Sequence, residues 1–334
     1  MTQQLLFSFA TGSMALNVAL LVAGVIVVLK GADWLTDGAV DIASRFGVSQ
    51  MVIGLTIVAM GTSMPEFCVS MVSAVKGTPD LAVGNVVGSN IFNTLLIVGC
   101  SALVAPIAVK PSSVRRDMPF AVGASLLMLV FCLDGTIGRA DAAVLFAGFC
   151  LFMYVTLKYA KAGGATATAK GAATTAGEAA AAKPQASVAK AALLVAVGLV
   201  CLIGGSNMFV DNASFVASRL GVSDAVIGLT IVAGGTSLPE LATSMVSARK
   251  GNSDIAIGNV IGSNVFNILM IVGITGLVQP MHIVGITAPD LAVLTGSVLL
   301  LWLFSRTKYA VKRWEGAVLA LCYAAYLAWL IANV

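Results

Sequence analysis

Shifted by 174 residues, the chain aligns with itself without a gap. Residues 54–99 read GLTIVAMGTSMPEFCVSMVSAVKGTPDLAVGNVVGSNIFNTLLIVG, and residues 228–273 read GLTIVAGGTSLPELATSMVSARKGNSDIAIGNVIGSNVFNILMIVG. The two stretches are identical at 32 of 46 paired positions. The match extends upstream, where Asp37 pairs with Asp211 and ASRFGVS with ASRLGVS. Such a chain folds as two related halves. Its polar residues are the most similar part, which a bare scaffold would have no reason to keep.

Composition sets the solvent. The chain is 59% hydrophobic and 10% charged, against about 25% charged in soluble domains, and apolar runs of membrane-spanning length recur throughout. These features predict an all-α integral membrane protein. Apolar runs read against turn signals give ten spans, roughly 15–36, 47–75, 80–105, 118–134, 140–160, 189–211, 221–249, 254–279, 288–305 and 313–333. Five spans per half is an odd number, so the second half crosses in the opposite sense. The expected organisation is a first half at 1–159, a flexible Ala/Gly/Thr-rich linker at 160–188 and a second half at 189–334. The first fifteen residues contain no Lys or Arg, which reads as a retained helix and not a cleaved signal peptide. With both termini outside a cell (inner) membrane, 15 of the 19 basic residues fall in cytoplasmic loops. The net charge of +4 therefore points to topology and not to nucleic acid.

Within each half the polar residues keep helical spacing. Thr62, Ser63 and Glu66 can share a face, as can Ser89 and Asn93, and the second half repeats this with Thr236, Ser237, Glu240, Ser263 and Asn267. Pro65 and Pro239 donate no backbone hydrogen bond, which is expected to free carbonyls near Ala59 to Gly61 and Ala233 to Gly235. A carboxylate at membrane depth costs about 2.5–3.5 kcal/mol even on insertion scales. Two of them at symmetric positions, among oxygen donors only, suit a hard cation such as Ca2+ or Na+. Inverted repeats around a mid-membrane polar site are the signature of a secondary transporter.

Other residues have plainer readings. Gly54, Gly84, Gly88, Gly228, Gly258 and Gly262 fit close helix packing. Asn85, Asn90, Asn259 and Asn264 suit helix capping, interhelical hydrogen bonding or ion contact equally well. Asp80 and Asp254 read as charges at helix starts. The six cysteines form no metal-binding spacing and read as small buried hydrophobes. His282 stands alone, and no paired nucleophile and base suggests an enzyme.

The motifs GTSMPE and GTSLPE, each followed by GNVVGSNIFN or GNVIGSNVFN, resemble the sodium/calcium exchanger branch of the calcium/cation antiporter superfamily. The resemblance covers essentially the whole chain. It implies ten transmembrane helices in two inverted five-helix repeats and alternating-access exchange of Na+ for Ca2+. Glu66 and Glu240 would be the carboxylates shared by both ions, joined on Ca2+ by Thr62 and Thr236. Ser63, Ser237, Ser89 and Ser263 would line Na+ sites with the carbonyls of Ala59 and Ala233, and Asn93 and Asn267 would complete the centre. Potassium-dependent members carry Asp in place of one such Asn, so two asparagines imply a potassium-independent exchanger. A proton-coupled Ca2+ antiporter using the same glutamates, and a cation channel, are the alternatives. Neither a cofactor nor a protein partner is implied; the partners are the two ions and the lipid bilayer.

Overall fold

The structure, a computed structural model, describes residues 11–171, 187–221, 231 and 233–332. The apolar runs form helices. α1 is Met14–Phe46, α2 Gln50–Thr62, α3 Met64–Val75, α4 Pro79–Val104, α5 Met118–Cys132 and α6 Arg139–Gly171. The second half supplies α7 Val188–Arg219, the one-turn α8 Ala233–Thr236, α9 Leu238–Arg249, α10 Ser253–Val278, α11 Ala288–Arg306 and α12 Arg313–Ala332. Among the described residues, seven helices are long and apolar enough to cross a membrane, and eight if α2 and α3 form one bent span. The α5 helix is only 15 residues long, preceded by a wide turn that carries Arg115, Arg116 and Asp117. The start of the expected 221–249 span, residues 222–230, lies outside the described residues.

Several boundaries move. α1 continues ten residues past its expected end at 36, because Asp37 and Asp41 end the apolar run without ending the helix. It stops only at Gly47, whose left-handed backbone (φ 60°) returns its N–H to the Ala43 carbonyl. α7 likewise runs to Arg219 and starts at Ser187, whose side chain accepts from the Lys190 amide at 3.2 Å. α6 reaches Gly171, so residues 161–171 of the expected linker are helical; residues 172–186 lie outside the described part.

The motif helices occupy the centre. In their most apolar stretches α4 is 78% and α10 94% buried, against 22% for α1, 28% for α7 and 17% for α12. The bundle is not purely helical. β1 (Ile107–Ala108) pairs with β4 (Ala310–Val311), and β2 (Thr136–Ile137) with β3 (Met281–His282). The 174-residue shift carries β1 onto β3 and β2 onto β4, so each short sheet ties one half to the other at one end of the bundle. Lys110 reinforces the first end through an ion pair with Asp254. Asp80 reinforces the other by accepting from the Val284 and Gly285 amides at 2.7 and 2.8 Å. The two helix-start aspartates thus also bridge the halves.

α1 and α7 pack antiparallel along a seam of glycines. A Cβ on Gly31 would lie 2.8 Å from the Gly198 carbonyl oxygen, and one on Gly24 would lie 3.0 Å from that of Gly205. Near the end of this pair, Thr36 and Ser247 hydroxyls hydrogen-bond at 3.0 Å. Lys250 bridges Asp33 and Asp37 at 3.1 and 2.9 Å. Burial pulls the Lys250 pKa down, but hydrogen bonds and charge from Asp37 and Asp33 outweigh it and hold it above the usual lysine range. The groups are solvent-accessible, so Lys250→Gln is expected to lower stability by about 1 kcal/mol or less, read from the apparent Tm.

The cysteines depart from their expected burial. Cys68 and Cys150 are exposed and the other four are half-buried. On a membrane bundle the outer helix faces contact lipid tails, so an apolar side chain has no need of the protein interior.

Candidate functional site

Each PE motif sits at a helix break. α2 ends at Thr62, Ser63 occupies a turn conformation (φ −85°, ψ 8°), and α3 resumes with Pro65 in its first turn. The axes of α2 and α3 bend by 47°. Ser237 has nearly the same conformation (φ −91°, ψ 8°) between α8 and α9. Because Pro65 has no N–H, the Gly61 carbonyl four residues upstream loses its helical donor. The Ala59 carbonyl does not become bare. It accepts the Ser63 amide at 3.0 Å and shares the single Thr62 hydroxyl proton, at 3.3 Å, with Asn259 Oδ1, so a cation there competes with that hydroxyl. Position 233 opens α8.

The two breaks face each other and exchange partners. Ser63 Oγ donates to Glu240 Oε1 at 2.9 Å, and Ser237 Oγ donates to Glu66 Oε1 at 3.0 Å. Each carboxylate is therefore oriented by the serine of the other repeat. Thr236 lies beside Glu66, and Thr62 and Ser263 beside Glu240. Glu66, Glu240, Thr62, Ser63, Ser237, Ser89, Ser263, Asn93 and Asn267 are all buried. Spacing along one helix had put Ser63 with Glu66; the structure pairs it across the repeat.

A ring of asparagines fixes the surrounding helices. Asn85 Nδ2 donates to the Glu66 carbonyl at 3.1 Å and to Ser70 Oγ at 3.0 Å, and Asn259 Nδ2 donates to the Glu240 carbonyl at 3.3 Å and Ser244 Oγ at 2.9 Å. Thr62 Oγ1 donates to Asn259 Oδ1 at 3.2 Å. Asn90 Nδ2 donates to the Asn264 carbonyl at 3.1 Å, and Asn264 Nδ2 to Thr94 Oγ1 at 2.7 Å. These four asparagines act as interhelical hydrogen-bonders. Gly54 and Gly258 allow the same closeness: a Cβ on Gly54 would stand 3.2 Å from the Gly258 Cα. Gly88 meets nothing within 4 Å, and Gly228 lies outside the described residues.

Several buried polar atoms at the centre have no hydrogen-bond partner: Glu66 Oε2, Glu240 Oε2, Asn267 Oδ1, Ser263 Oγ and both side-chain polar atoms of Asn93. Leaving such atoms unsatisfied is costly, and nearly all of them are oxygens, as a hard cation requires. No group of three or more His, Cys, Asp or Glu side chains placed to hold a metal occurs among the described residues, so donors beyond the two carboxylates are neutral. Wide π-type turns at Phe92–Ile97 and Phe266–Val272 carry Asn93 and Asn267, a distortion frequent at functional sites.

The two asparagines are not equivalent. Asn267 Nδ2 donates to Asn90 Oδ1 at 3.0 Å. The repeat-related bond from Asn93 to Asn264 is missing, because Asn264 turns its amide to Thr94, where the other half has Ile268. Asn267→Ala is expected to cost about 1–3 kcal/mol by leaving Asn90 without its donor. Asn93→Ala breaks no hydrogen bond and is expected to cost clearly less. Apparent Tm in detergent checks both.

A multi-pass helical bundle with a buried, oxygen-lined and partly unsatisfied centre belongs to the class of membrane cation carriers. The family described as sodium/calcium exchanger protein matches residues 16–158 and 190–332, and the chain belongs to that family. Sodium/calcium exchanger MaX1 of Methanosarcina acetivorans is 32% identical over 343 residues, spanning 93% of this chain and 97% of its own. Putative antiporter CaxA of Alkalimonas amylolytica is 38% identical over 307 residues, spanning 91% and 95%. The solved structure of the sodium-calcium exchanger NCX_Mj, soaked with Na+ and Sr2+, matches with a TM-score of 0.81 at 32% identity, over 95% of this chain and 99% of that one.

Proposed function

We propose that this chain is a secondary antiporter that exchanges Na+ for Ca2+ across a cell (inner) membrane by alternating access. The observation that carries the reading is the crossed pairing of Ser63 with Glu240 and Ser237 with Glu66, which leaves one oxygen of each carboxylate without a donor. Two ionised carboxylates balance one Ca2+ or two Na+, and a neutralised site crosses an occluded state at far lower cost than a charged one. Glu66 and Glu240 serve both ions, with Thr62 and Thr236 on Ca2+. Ser63, Ser237, Ser89, Ser263 and the carbonyls of Ala59 and Ala233 serve Na+, and Asn93 and Asn267 lie at the centre. The chain would span the membrane ten times as two inverted five-helix halves, 1–159 and 189–334, with 160–188 between them and both termini outside. α1 and α7 would slide against the motif helices to switch access.

Purified protein in liposomes tests the coupling. Na+-loaded vesicles diluted into Na+-free medium are expected to take up Ca2+, whereas K+ or pH gradients alone are not. Uptake driven by a pH gradient without Na+ would instead assign a proton-coupled antiporter. Uptake indifferent to every counter-gradient would assign a channel.

A further inference from the structure

The end of the bundle that carries β1 and β4 holds more positive charge than its ion pairs use. Lys110 pairs with Asp254 and Arg116 with Asp117, whereas Arg115, Arg306, Lys308, Lys312 and Arg313 make no ion pair among the described residues. Arg115 and Arg306 line a pocket of about 530 Å³ together with Val114, Trp302 and Tyr309. Trp302 is anchored there, its Nε1 donating to the Val114 carbonyl at 2.8 Å. The Arg306 guanidinium lies over the Trp302 ring, 5.5 Å from its centroid.

The backbone is strained to complete this wall. Lys308 and Tyr309 both adopt left-handed conformations, with φ 60° and 51°. Bulky side chains rarely do so, and such strain gathers at functional positions. The repeat places Asp134 and Gly135 at the equivalent turn, where Gly135 takes φ 72° without a side-chain clash. Only Gly135 is left-handed in the first-half turn, whereas the second half places two residues with side chains, one a tyrosine, in that region. The other lining residues diverge in the same direction: Trp302, Arg306 and Arg115 stand where the repeat puts Met128, Cys132 and Pro289. Arginine and aromatic side chains thus line the pocket at this end, whereas the repeat-equivalent positions hold methionine, cysteine, proline and glycine. Beside the pocket, α11 exposes Leu299 and Leu303, an apolar strip that a soluble anion would not use.

We infer that this pocket binds the phosphodiester of an anionic phospholipid, with Arg115 and Arg306 on the phosphate, Trp302 and Tyr309 at headgroup level and an acyl chain along Leu299 and Leu303. The inference needs only a bilayer interface at this face and is independent of which ion drives transport.

Thermal unfolding of the purified full chain in neutral detergent tests it, with phosphatidylglycerol, phosphatidylcholine and inorganic phosphate as separate additions. Phosphatidylglycerol raises the Tm saturably, and the other two do not. The double variant R115Q/R306Q needs roughly 10- to 30-fold more phosphatidylglycerol for the same shift. Tyr309→Gly, which keeps both arginines and relieves the backbone, has a higher lipid-free Tm but a weaker lipid response. Ca2+-induced stabilisation, retained in both variants, shows that they are folded. An equal phosphatidylglycerol response in wild type and both variants, no response in the wild type, or equal protection by inorganic phosphate overturns the assignment.

Discussion

Replacing Glu66 or Glu240 with glutamine is expected to abolish the proposed Na+-driven uptake of radiolabelled Ca2+ into proteoliposomes and to leave the protein folded. Each glutamate accepts one serine hydroxyl through Oε1 and keeps Oε2 without a partner. Glutamine preserves the shape and an acceptor oxygen but removes the charge that a cation must neutralise. Removing one member of a buried, compensated charge set costs about 3–5 kcal/mol, or roughly 100- to 4,000-fold in ion affinity. The ion-free variants should match or exceed the wild type in apparent Tm, because an unsatisfied buried charge is gone. The shift in Tm that Ca2+ produces in the wild type should vanish. Near-normal flux in either variant would remove both glutamates from the site.

The second large effect lies far from the charges. Gly205→Ala is expected to destabilise the protein by about 1–3 kcal/mol, as overpacking does. Its Cβ would lie 2.9 Å from the Val28 amide nitrogen and 3.0 Å from the Gly24 carbonyl oxygen, so α1 and α7 must separate. Gly204→Ala provides the control on the same helix, since nothing lies within 4 Å of its Cβ position. It should be neutral or slightly stabilising, because alanine favours helix by up to about 1 kcal/mol over glycine. Apparent Tm and Ca2+ flux measured side by side decide the matter; equal behaviour of the two variants would mean the seam is not tightly packed.

This seam shows what a sequence reading can pass over. Gly24, Gly31 and Gly38 recur every seven residues, as do Gly198 and Gly205, a spacing that keeps one face of a helix clear of side chains. The signal is legible in the spacing but carries no chemistry. The cysteines erred for another reason: apolar character locates a residue away from water, and in a membrane that includes the lipid-facing surface. The ends of α1 and α7 were misplaced because hydropathy marks where lipid ends, whereas a helix ends where its backbone is capped.

The sequence by itself determined the membrane setting, the duplication and the residue types at the centre, because composition and helical spacing are local properties. It also marked where the helices break, since Pro65 and Pro239 lack the donor wherever they stand. Only the tertiary structure decided the pairing. Ser63 lies three residues from Glu66 yet serves Glu240, because the break at Ser63 turns its hydroxyl towards the opposite repeat. The same holds for Asn93 and Asn267, which occupy equivalent positions in the repeat. One is bonded and the other bare because a neighbouring threonine in one half is an isoleucine in the other. Hydrogen bonds between halves depend on how two helix breaks meet, and no spacing along the chain encodes that distance.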